Sequence, residues 1–141
     1  MRSQEAVERA LAASRADRGV VIVQERSTAN LRWAANSLTS NGDMRSRQAT
    51  MVSIYDHPDG TRAGVVTRDV ASADDVSALV AAADAVGREA DPSPDAGDLA
   101  SGGDSPHWDA EVPVTSSAVF SDFAPALAEV CERAHGSAQE L

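Results

Sequence analysis

The hydrophobic period changes twice within residues 1–90 and is then lost, which restricts the folds open to this chain. From residue 3 to 16, Ala6, Val7, Ala10, Leu11 and Ser14 recur at the three-four spacing of one helical face. Ser3 is placed to cap this helix, and Glu5 lies in its first turn. The β-branched run Val20-Val21-Ile22-Val23 follows Asp17-Arg18-Gly19 and reads as a buried strand. Ala29, Leu31, Trp33 and Ala35 then alternate with Thr28, Asn30, Arg32 and Ala34, the pattern of a second strand with one buried face. Asn41-Gly42 signals a reversal. Residues 47–55 form a third strand, with Val52 and Ile54 on one face and Met51 and Tyr55 on the other. Pro58-Asp59-Gly60 marks a turn into a fourth, Ala63 to Val70.

The period returns to helical after Ser72. Ser72 and Asp75 have capping-box spacing, and Val76, Leu79, Val80, Ala83 and Val86 form an apolar stripe. Helix, four strands and helix predict an α+β domain over residues 1–90: a largely antiparallel four-stranded sheet with helices packed on one face. Residues 91–116 carry Pro92, Pro94, Gly97, Gly102, Gly103, Pro106 and Pro113 among Asp and Ser, an acidic linker composition. Over residues 117–141, Val119, Phe120, Phe123, Leu127, Val130 and Cys131 outline an amphipathic helix, the expected start of a second domain. Pro125 either kinks it or begins its main part.

Charge narrows the function classes. The net charge is -10, yet the first 83 residues hold ten Arg and ten acids. Asp84, Glu89, Asp91, Asp95, Asp98, Asp104, Asp109 and Glu111 face one base, Arg88, so the acidity is assigned to a segment rather than to the fold. Nucleic acid is not an expected partner, because phosphate binding requires a basic face. The acidic stretch reads as a soluble linker, with binding of a basic protein as the functional alternative. No apolar run approaches the ~18 residues of a membrane span, and no signal peptide is seen, so a cytoplasmic location is expected. Cys131 is the single cysteine, which excludes an intrachain disulfide.

Few residues suggest chemistry. His57, His107 and His135 share no helical ligand spacing, and no zinc-protease, nucleophile-elbow or phosphate-loop motif occurs. No catalytic or metal-ligating residue is assigned. Cys131 lies on the apolar stripe of the last helix and reads as a structural thiol, although His135 follows four residues later. Trp33 reads as core. Asn30 and Arg32 lie on the strand face opposite Trp33, where they are either solvated or part of a peptide-binding surface. Trp108, alone in the acidic linker, reads as an anchor onto another domain. Phe120 and Phe123 complete the set of candidate peptide or partner contacts.

The segment Glu25-Arg26-Ser27-Thr28-Ala29-Asn30-Leu31-Arg32-Trp33-Ala34-Ala35-Asn36-Ser37-Leu38-Thr39-Ser40-Asn41-Gly42 resembles the N-terminal domain of the TldD/PmbA family, above all its actinobacterial members. The strands at Val52-Ser53-Ile54 and Gly64-Val65-Val66, the Ala-rich helix after Ser72, and the Asp-Pro linker leading to His107-Trp108-Asp109 agree with it. The resemblance implies a cytoplasmic two-domain protein, older names for which call it a modulator of DNA gyrase. It implies paired homologous subunits, hetero- or homodimeric, that process peptides. It also implies zinc held by a His-Glu-x-x-x-His motif in the C-terminal half of the active subunit. None of those ligands can be carried onto this chain, for which no cofactor and no catalysis of its own are expected. The Trp33 to Gly42 segment looks more like the metal-free PmbA-type subunit. The implied role is structural, partner-binding or peptide-guiding, and the competing expectation is a stand-alone acidic adaptor or inhibitor acting through its C-terminal tail.

Overall fold

The computed structural model describes the backbone of residues 1–34, 37–100, 102–111 and 119–139. Along the chain these form α1 (Ser3–Ala13), β1 (Arg18–Ala34), β2 (Ser37–His57), β3 (Gly60–Asp69) and α2 (Ala73–Glu89). Residues 90–100 and 102–111 form no helix or strand. One wide helical turn over Val119–Phe123 then leads into α3 (Ala124–Gln139). The architecture is α+β: the sheet has the order β1-β2-β3. It is antiparallel throughout, since β2 pairs antiparallel with β3 and only two residues separate β1 from β2.

Among the described residues there are three strands rather than the expected four. The stretches read as two strands at residues 20–23 and 28–35 belong to β1 alone. The polar residues between them contain no Gly or Pro to break an extended chain. A cross-strand ion pair between Glu25 and Arg47 also bridges that polar interval. Asn41-Gly42 is not the reversal: it lies inside β2, and a Cβ on Gly42 would meet nothing within 4 Å, so no close approach there calls for glycine. The β2–β3 hairpin does turn at Pro58-Asp59. His57 pairs with Gly60, which takes a φ of +131°, open to glycine at little steric cost.

The chain divides into two compact units. The first comprises residues 1–25 and 47–110, the second residues 26–46 and 111–141. In the first, α1 and α2 pack together and cover one face of the sheet. The core consists of Ala6, Ala10, Ala49, Met51, Val70, Val76, Leu79, Val80 and Ala83, with Val21, Val23 and Val66 against it. Met51, Ser53 and Tyr55 are the buried face of β2; Val52 and Ile54 on its other face are half-buried. With no buried Trp or Phe described in this core, α2 approaches the sheet at glycines. A Cβ placed on Gly64 would strike the Ala83 carbonyl and the Gly87 backbone nitrogen at under 3.0 Å.

Both helices of this unit have defined starts. Ser72 accepts a hydrogen bond from the Asp75 amide at 3.2 Å, and the Asp75 carboxylate accepts from the Ser72 and Ala71 amides at 2.8 and 2.9 Å. Those amide bonds, with the Ser72 hydroxyl, hold the Asp75 carboxyl below the usual carboxylate range. α1 differs from expectation. Its cap is Arg2, whose amide donates to Glu5 at 2.9 Å, while the Ser3 hydroxyl lies inside the first turn, buried and unpartnered. Val86 also departs from the expected stripe. It is 48% exposed, and the inward face of α2 continues instead through Asp84 and Gly87.

In the second unit, Phe120, Leu127 and Cys131 are half-buried, whereas Phe123 and Val130 are 57% and 53% exposed. The apolar stripe read across all of these residues is therefore covered on one side only. Pro125 is the second residue of α3, directly after the wide turn over Val119–Phe123. The side chain of Trp33 lies outside the described residues.

Candidate functional site

Two places in the first unit bring polar or aromatic groups together. At the C-terminal end of α1, the Asp84 carboxylate is 4% exposed among apolar neighbours. One oxygen accepts from the hydroxyls of Ser53 and Ser14 at 2.6 and 2.9 Å. The other accepts from the Arg15 amide at 2.9 Å and faces the Arg88 guanidinium at 3.8 Å. Burial pushes this carboxyl up, but the hydroxyl and amide donors outweigh it and hold the group below its ordinary range. Tyr55 lies beside it: burial and the Asp84 charge push its phenol up, and Arg88 sits 5.5 Å from its ring centroid.

A groove of about 360 Å³ opens over this cluster, lined by Arg15, Ser77, Asp84 and Arg88. The carboxylate accepts three hydrogen bonds and faces a guanidinium, the surroundings of a structural acceptor rather than of a base open to a substrate. Asp84 is thus a structural tie among α1, α2 and β2. Counting it with the linker acids misplaces it: it falls on the inward stripe at i+4 from Val80 and i+8 from Val76. That position was the available signal.

The second place is where α1, β1 and residues 105–110 meet. Trp108 is 44% exposed. Its carbonyl accepts from the Gln4 side-chain amide at 2.6 Å, and its indole N–H donates to Glu8 at 3.4 Å. A groove of about 350 Å³ runs here between Val7, Val21, Ile22, Val23, His107 and Trp108. Trp108, expected to dock onto another domain, contacts α1 of its own compact unit. Other parts of the presumed linker also touch that unit. The Ser93 amide donates to the Thr61 carbonyl at 2.8 Å, and Arg18 donates to the Gly97 carbonyl at 3.5 Å and faces Asp98 at 3.7 Å.

The remaining candidates belong to the second unit. Asn30 and Arg32 are exposed on β1, and the Arg32 carbonyl accepts from the Thr39 hydroxyl at 3.1 Å. Phe120 is half-buried and Phe123 exposed. His57, His107 and His135 are exposed, and Cys131 is half-buried. Among the described residues no three His, Cys, Asp or Glu side chains gather as metal ligands, and no helix is long and apolar enough to cross a membrane. No family model, curated protein or solved structure matches this chain.

Proposed function

We propose that this chain is a non-catalytic domain of a TldD/PmbA-like peptidase complex in the cytoplasm, which docks a homologous subunit and guides extended peptides. The observation that carries the peptide part is the edge strand β1. Among the described residues, no backbone hydrogen bond from outside the sheet reaches residues 20–24, so that edge keeps main-chain donors and acceptors for an added strand. Exposed Asn30 and Arg32 on the same strand, with Phe120 and Phe123 in the second unit, supply candidate docking contacts. A free-standing acidic adaptor is the weaker alternative, because Ser93, Asp98 and Trp108 of the acidic segment are engaged with the first unit.

Co-expression with a homologous subunit carrying the His-Glu-x-x-x-His motif tests the family part. The expected result is a complex of defined stoichiometry by light scattering after size exclusion. Independent migration of the two chains overturns it.

A further inference from the structure

Successive residues of a strand point to opposite faces, so no face of a sheet presents three in a row. Val21, Ile22 and Val23 nevertheless all line one groove, which therefore runs along the outer edge of β1, where the main chain is accessible. Val7 of α1 forms one wall. The other wall is Trp108 with His107, carried by a segment that folds on itself: the Trp108 amide donates to the Ser105 carbonyl at 3.1 Å and the Ala110 amide to the His107 carbonyl at 3.0 Å. Side-chain bonds from Gln4 to the Trp108 and Ala110 carbonyls tie this strap to α1, so the wall is held in place by exposed polar contacts.

Acids outnumber bases beside the residues that line the groove: Glu5, Glu8, Asp104 and Asp109 adjoin them in the chain, against Arg2, which pairs with Glu5 at 3.5 Å. Glu8 accepts from the Trp108 indole, and exposed Asp104 and Asp109 flank the strap. The chain contains no Lys, and the one Arg in residues 84–111 is Arg88, which faces Asp84.

From this arrangement we infer that the β1 edge groove is a binding site for a basic, extended peptide. Such a peptide adds as a strand beside Val21–Val23, places an apolar side chain between Val7 and Trp108, and sets its cationic side chains against Glu8, Asp104 and Asp109. Main-chain pairing supplies affinity irrespective of sequence, the apolar wall favours a Val-sized or larger side chain, and the acidic rim selects for Lys or Arg. This assignment rests on the peptide-guiding part of the proposed function and locates it.

The test is an amide NMR titration of the full chain with a short peptide of alternating Lys and Val. Saturable shifts are expected at the amides of Val21, Ile22 and Val23 and at the Trp108 indole. A peptide of alternating Glu and Val should bind at least about tenfold more weakly. The Lys-Val peptide with its backbone nitrogens methylated should not bind, because it cannot donate to the strand. Trp108→Ala should weaken binding about tenfold, as for an aromatic hot spot. Absence of saturation, shifts confined to β3, or equal binding of the methylated peptide each overturns the assignment. A chain that binds the Lys-Val peptide but forms no complex with a homologous subunit loses the family reading and keeps the groove. A chain that forms the complex and ignores the peptide does the reverse.

Discussion

The Ser53 hydroxyl donates a 2.6 Å hydrogen bond to the Asp84 carboxylate and thereby ties the middle strand to the helix that covers it. Both groups are buried, at 0% and 4% exposure. The same carboxylate holds Ser14 and the Arg15 amide, so one side chain secures three elements. Asp84→Ala leaves two hydroxyls and an amide short of an acceptor, and an expected loss of about 3 kcal/mol follows. Asp84→Asn keeps one acceptor oxygen and should cost less. Chemical denaturation of the two variants gives the ranking.

Acid should weaken this tie in a defined direction. The folded state holds the Asp84 carboxyl below its ordinary value, so it binds that proton less readily than the unfolded chain does. The stabilisation is complete above the unfolded value of about 3.9 and is lost as pH falls through the lower folded value. Melting temperature measured from about pH 5 downward should fall more steeply for the native chain than for Asp84→Asn. Parallel acid limbs would contradict this.

α2 comes close to the sheet where Ala83 and Gly87 lie against Gly64. A methyl group at Gly64 meets helix backbone at under 3.0 Å, with no flexible side chain to yield. Gly64→Ala should therefore cost about 3 kcal/mol or more, as overpacking that lifts the helix. At Gly87 the added Cβ meets the Ser53 carbonyl at 2.9 Å and the Gly64 nitrogen at 3.0 Å, a milder clash. Alanine also gains about 1 kcal/mol of helix propensity there. Gly87→Ala is thus expected to be the less damaging of the two by thermal unfolding.

Ser72→Ala removes the acceptor for the Asp75 amide and leaves the reciprocal bonds from Asp75 to the Ala71 and Ser72 amides in place. A loss of about 1 kcal/mol is expected, the usual cost of an N-cap. Replacing Ser3 with Ala should cost nothing comparable, since Ser3 does not cap α1. Equal losses at the two serines would refute the assignment.

Phe120 and Phe123 separate by exposure within the second unit. Phe120→Asp places a charge on a half-covered site and should destabilise the chain by about 2 kcal/mol. Phe123→Asp should leave melting unchanged and abolish any concentration dependence of sedimentation, because an exposed aromatic favours contact with another molecule. Concentration dependence that survives Phe123→Asp removes that role.

Local signals were sufficient wherever a period or a cap was complete within one segment. The two helices of the first unit, the Ser72–Asp75 cap, the Pro58-Asp59 turn and the α+β class follow from residues a few positions apart, whose preferences need no distant partner. Strand count did not. Whether Gln24 to Ser27 ends a strand depends on Arg47 standing opposite Glu25, and whether Asn41-Gly42 turns depends on where β2 begins, with only two residues between Ala34 and Ser37. Asp84 shows the same division. Sequence alone puts an acid on an apolar stripe; only the arrival of Ser14, the Arg15 amide and Ser53, between 31 and 70 residues away, makes that burial affordable. Trp108 reads as an anchor from composition alone. What it anchors to was decided by Gln4 and Glu8, about a hundred residues upstream, because a hydrogen-bond partner so distant in the chain leaves no local trace.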